Sequence, residues 1–103
     1  MYQLIVYIPK TALETVKNAL FKAGAGKLGD YEQCCWQVEG QGQFKALPGS
    51  NPYLGTLNQL SHEAEFKVEM ICQDQYIRQV EQALLAAHPY ETPAYAIIKL
   101  ENT

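Results

Sequence analysis

Apolar side chains recur at Tyr2, Leu4, Val6 and Ile8, and again at Phe66, Val68, Met70 and Cys72. A period of two predicts two strands, each laying one face on a core. After each run the spacing changes to threes and fours, at Leu13, Val16, Leu20 and Ala23 and at Ile77, Val80, Leu84 and Ala87. That is the stripe of an amphipathic helix. The two runs are one pattern written twice. Displacing the chain so that Tyr2 falls on Phe66 also sends Leu13 onto Ile77 and Tyr31 onto Tyr95. Each of those two tyrosines is expected to open a strand after a loop.

Local signals agree with these elements. Thr11 with Glu14 reads as a capping box, worth about 1 kcal/mol to the first helix, and Asp74 suits the start of the second. Gly24 stands where the first helix needs a left-handed residue, and Pro89 stops the second. Strand–helix–strand written twice, with right-handed crossovers and both helices on one face, predicts an α+β ferredoxin-like sandwich: a single domain over residues 1–103.

Between the halves lies extra material. Residues 31–38 and 43–47 predict a hairpin turning near Gly40 and Gly42, followed by an irregular connection from Pro48 to about Ser61. A connection of that length either has a functional task or covers the sheet passively, and both readings stand. The first strand is apolar on its second face as well. Ile5, Tyr7 and Ile71 would lie bare on the helix-free side unless another subunit covers them. A homo-oligomer is expected, and in particular a trimer.

Composition narrows the function classes. Apolar residues make up 48% and charged residues 18%, a globular balance. The net charge of −3 and eight scattered Lys and Arg offer no basic patch for nucleic acid. No apolar run approaches the length of a membrane span or of a signal peptide's core. Three cysteines without a C-x-x-C fit a reducing compartment. The expectation is a cytoplasmic protein with neither a nucleic-acid nor a membrane partner.

Gly24-Ala25-Gly26-Lys27-Leu28-Gly29 matches the letters of a dinucleotide fingerprint but follows a helix and precedes a strand. The fingerprint requires the reverse order, so these glycines predict a turn. Leu28 also stands where a phosphate-binding Walker loop needs Ser or Thr. Cys34 and Cys35, adjacent in an expected strand, point to opposite faces, with Cys34 beside Trp36 and Val38. Cys72 continues a buried alternation. Glu65, Lys67 and Glu69 read as a solvated or intersubunit salt-bridged row.

The remaining chemistry sits in His62, Glu63, His88 and Glu91. The topology brings all four to one end of the molecule, where two imidazoles and two carboxylates suit a divalent metal. Separate solvated side chains are the alternative. In the segment His88-Pro89-Tyr90-Glu91-Thr92-Pro93-Ala94-Tyr95, each proline pushes its predecessor out of the helical region, so the loop is stiff. Tyr90 there, with Asn51 and Tyr53 in the long connection, are the candidate ligand contacts.

That segment resembles the Nif-three-like family, taken together with Gly24-Ala25-Gly26, Gly29-Asp30-Tyr31, Gly40-Gln41-Gly42-Gln43-Phe44 and Asn51-Pro52-Tyr53-Leu54-Gly55. More narrowly, the chain looks like the domain inserted in the middle of that family's longer, YqfO-type members. The resemblance implies a fold similar to the PII signalling proteins and CutA, which are trimeric. The family's full-length members carry a dinuclear metal site on flanking domains, and some are described as a type of GTP cyclohydrolase. Those domains are not in this sequence, so neither site nor activity is implied for it.

The expected function is a non-enzymatic, trimeric binding or regulatory module. It would hold a divalent metal or small anion in a cleft between subunits, lined by the 48–61 and 88–93 loops. A metal-dependent hydrolase using His62, Glu63, His88 and Glu91, and a protein-interaction domain, are the rival classes.

Overall fold

The computed structural model describes residues 1–101. Strand β1 (Tyr2–Pro9) leads through a short 3-10 turn into helix α1 (Leu13–Ala23). Strands β2 (Trp36–Lys45) and β3 (Leu60–Cys72) follow, then helix α2 (Ile77–Ala87) and strand β4 (Tyr95–Lys99). The four strands form one sheet in the order β2-β3-β1-β4, every neighbouring pair antiparallel. Two strand–helix–strand units interleaved in this way are the ferredoxin-like α+β sandwich that the periodicity predicts.

The register shows the internal repeat directly. Tyr2 pairs with Cys72 and Ile8 with Phe66, while Ile5 faces Glu69. The displacement that carries Tyr2 onto Phe66 converts the first pair into the second and leaves Ile5–Glu69 as its own image. A pseudo-two-fold axis therefore runs through that pair. Leu4, Val6, Ile8, Val68, Met70 and Cys72 meet Leu13, Val16, Leu20, Ile77, Val80 and Leu84 in one core. The strand period and the helix period thus point at the same interior.

Helix ends are less regular than the sequence signals suggest. Gly24 does close α1 in the left-handed region, at φ 120°, with its N–H reaching the Leu20 and Phe21 carbonyls. Pro89 holds His88 extended, at φ −69° and ψ 132°, and α2 stops there. Thr11 does not cap α1, because residues Lys10–Ala12 wind into a 3-10 turn with no side-chain cap. Asp74 does not cap α2 either; it lies in a matching turn, and its carboxylate takes the Met1 amino group. Gly24, Gly26 and Gly29 all have positive φ, at 120°, 81° and 58°, so the glycine cluster is a turn.

The expected hairpin is replaced by a longer one. Residues 36–45 are a single strand that pairs along β3 from Trp36–Glu69 to Lys45–Leu60. Gly40 and Gly42 lie within it rather than at a turn. Tyr31 forms only an isolated bridge with Leu28 and is exposed, so the displaced match to Tyr95 fails at this point. Cys34 and Cys35 accordingly lie ahead of the strand, the first half-buried and the second exposed. Trp36, Val38 and Phe44 alternate with polar residues along β2, but Gly40 and Gly42 interrupt that face and the strand is largely exposed; pairing with β3, not burial, makes it a strand. The β2–β3 ribbon runs past the ends of β1 and β4 and stretches the molecule to 46 × 24 × 24 Å.

Candidate functional site

The ribbon's overhang and two loops enclose a cavity of about 280 Å³ on the helix-free face of the sheet. One loop is the connection after β2, contributing Pro52, Tyr53 and Leu54; the other is the 88–94 loop, contributing Tyr90, Glu91 and Thr92. Tyr7, Phe44 and Glu65 form the sheet side. Outward alternation on three strands puts them there. Phe44 pairs with Ser61, Glu65 with Gly40 and Pro9, and Tyr7 with Lys67.

The 88–94 loop is closed on the backbone of one residue. The Tyr7 carbonyl accepts from His88 Nε2 at 2.7 Å, and the Tyr7 N–H donates to the Ala94 carbonyl at 3.2 Å. The second imidazole nitrogen, Nδ1, accepts from the Tyr90 N–H at 3.1 Å. With one nitrogen donating and the other accepting, the ring is neutral and its tautomer is fixed. Burial pushes the His88 pKa down, against the pull of the Tyr7 carbonyl and of Glu65. His88 is thus the pin of the loop, with no free nitrogen.

Tyr90 projects from this pin into the cavity. Its hydroxyl donates to Glu65 Oε2 at 2.7 Å. Burial, together with the Glu65 carboxylate beside it, holds its phenol well above the ordinary range, so it remains protonated. Its ring lies 6.3 Å from Phe44 and 6.2 Å from Tyr53, tilted by 55° and 53°. Glu91 Oε1 accepts the Asn51 N–H at 3.2 Å and so joins the two loops. Asn51 serves the site through its backbone. Gly42 leaves space for Glu65, whose carboxylate lies where a side chain at Gly42 would begin.

The four residues proposed for a metal do not converge within this chain. His62 and Glu63 are neighbours on β3 and point to opposite faces. His62 is not among the residues lining the cavity; its Nε2 sits 3.1 Å from Gln43 Oε1, and both nitrogens of His88 are taken. Among the described residues, no three His, Cys, Asp or Glu side chains are grouped to hold a metal. Tyr53, Tyr90 and Glu91 do meet at one cavity. Tyr7, Phe44 and Glu65 were not foreseen as site residues. Glu65 looked like a member of a charged row, and only Lys67–Glu69 of that row pairs, at 3.9 Å. The one available signal was Gly42, the glycine that makes room for it.

This α+β sandwich shares its fold with the CutA proteins. CutA1 of Pyrococcus horikoshii superposes with a TM-score of 0.70 at 14% identity, over 100% of this chain and 86% of that one. This likeness defines the fold class. A Bacillus cereus protein related to NIF3 is closer in sequence, with 36% identity and a TM-score of 0.82 over 98% of this chain and 26% of that one. A Mycobacterium tuberculosis protein named GTP cyclohydrolase 1 type 2 homolog is 42% identical over 96 residues, 93% of this chain. No protein-family profile matches the chain. The chain therefore resembles the Nif-three-like family in one CutA-like segment, and it spans 25% of the length of that mycobacterial relative. Among the described residues no helix is long and apolar enough to cross a membrane.

Proposed function

We propose that this chain is a binding or regulatory module, working as a homo-oligomer and holding a small organic ligand in the cavity between its two loops. The observation that carries the reading is the closure of the 88–94 loop on Tyr7, which presents Tyr90 and Glu91 to a preformed, aromatic-walled space. Pockets that bind small molecules are concave and mostly apolar, with a few placed polar groups. The cavity has this character, and its volume suits a small occupant.

His88 supports a positioning role over a catalytic one, because both nitrogens serve the backbone. The activity in the name of the mycobacterial relative belongs to a protein about four times as long. Self-association is supported by the helix-free face, where Trp36 (68% exposed), Val38, Tyr7 and Ile98 stand open to solvent.

Light scattering after size exclusion tests the assembly. A trimer of the 11.6 kDa chain gives about 35 kDa, and a monomer at micromolar concentration removes the oligomer. Thermal-shift screening with amines, divalent metals and nucleotides tests the binding; no stabilisation by any of them counts against a ligand module.

A further inference from the structure

The charge and walls of the cavity specify the ligand more narrowly. Two carboxylates, Glu65 and Glu91, line it, and no lysine, arginine or histidine does. Among the described residues neither carboxylate enters an ion pair; Lys10, Lys17, Lys67 and Arg78 pair with Glu39, Glu14, Glu69 and Glu81 instead. Both are committed only to neutral donors, the Tyr90 hydroxyl and the Asn51 N–H. Glu63, one step outside, adds negative charge felt at Tyr90. Such a site repels phosphates and other anions.

Its walls are aromatic. Tyr7, Phe44, Tyr53 and Tyr90 all line the space, and the Tyr90 ring is tilted against both Phe44 and Tyr53 rather than stacked flat on either. Ring faces carry the negative part of the aromatic quadrupole and attract a cation within about 6 Å of the centroid. Centroids 6.2 and 6.3 Å apart allow one cation to lie that close to two rings. A strongly hydrated metal ion needs several convergent oxygens, which are not gathered here. An alkylated ammonium needs apolar surface and a diffuse counter-charge, and both are present.

We propose that the cavity binds a free, small alkylated ammonium compound, caged by Tyr53, Tyr90 and Phe44 and neutralised by Glu65 and Glu91. The inference rests on the ligand-module reading above and adds the ligand class. Its chemistry is non-covalent: the cation loses water to the rings, and the carboxylates supply the balancing charge.

The test is a titration of the ¹⁵N-labelled full chain, following amide shifts, with choline, its uncharged carbon isostere 3,3-dimethylbutan-1-ol, and inorganic phosphate. Choline is expected to shift the amides of residues 51–54 and 90–92 and to bind about tenfold more tightly than the isostere. Glu65→Gln is expected to weaken choline about tenfold and to leave the isostere unchanged. Tyr53→Ala, on a half-exposed loop, reads the cage without disturbing the core and is expected to weaken choline several-fold. Equal affinity for choline and isostere, or preference for phosphate, overturns the cation while leaving a ligand module standing. Binding to phosphatidylcholine vesicles without binding of free choline overturns the free-ligand assignment. Failure of every compound to shift these amides overturns this inference; the ligand-module reading falls with it only where the thermal-shift panel of amines, divalent metals and nucleotides is silent as well.

Discussion

Replacing His88 by leucine removes the pin of the 88–94 loop while keeping an apolar body of similar reach. The residue is 6% exposed, and its ring makes two hydrogen bonds to backbone, at 2.7 Å to the Tyr7 carbonyl and 3.1 Å from the Tyr90 N–H. Leucine can satisfy neither, and each buried backbone group left alone costs about 1–3 kcal/mol. Water entering the loop will recover part of that, so we expect a loss of roughly 2–4 kcal/mol. For a domain near this size, about 1 kcal/mol moves Tm by roughly 4–8 °C. Burial also lowers the His88 pKa in the folded chain. The unfolded chain then binds a proton more readily. His88 thus costs no stability above its unfolded pKa of about 6.5, and stability falls as pH drops from there through the depressed folded value. Urea unfolding at pH 7.5 and 5.5 measures both effects, with His62→Gln as background so that a single histidine remains. The leucine variant should be less stable at pH 7.5 and should lose part of the pH slope. A variant within 0.5 kcal/mol of the parent, with its slope intact, would refute the pin.

Three further outcomes follow from the packing. Gly42→Ala should drive the Glu65 carboxylate off the Tyr90 hydroxyl, so that it and Tyr90→Phe each cost about 1 kcal/mol while the double variant costs hardly more than either. Gly40→Ala meets nothing nearby and should be close to neutral in the same unfolding assay. Leu20→Ala and Leu84→Ala occupy equivalent positions of the repeat and are both fully buried, so thermal or chemical unfolding should show similar losses of about 3 kcal/mol. A difference above about 2 kcal/mol would show that the two halves of the core are not packed alike.

What could be read in advance follows from local pattern. The alternation at Tyr2–Ile8 and Phe66–Cys72 and the helix stripes each had only one way to bury their apolar face. The stiffness of the 88–94 loop was likewise visible in its two prolines. Strand β2 was only partly legible, because Gly40 and Gly42 stand in the middle of the alternating face of Trp36, Val38 and Phe44 and resemble turn residues. Glu65 was misjudged for a related reason: a carboxylate on an outward face looks solvated until a loop distant in sequence lays a phenol on it. The metal quartet does not converge within one chain, because sharing an end of a sheet does not fix the face, and His62 and Glu63 alternate across the strand.

The sequence by itself determined the duplicated strand–helix–strand architecture, since hydrophobic periodicity acts over a few residues and a repeat constrains its own copy. Only the tertiary structure decided the site. Tyr7, Phe44, Glu65 and Tyr90 come from four separate stretches of chain, and they meet because the β2–β3 ribbon overhangs the sheet and the Tyr7 backbone ties the last loop beneath it. Local propensity carries no information about such a meeting. Long-range strand register and backbone hydrogen bonds set it.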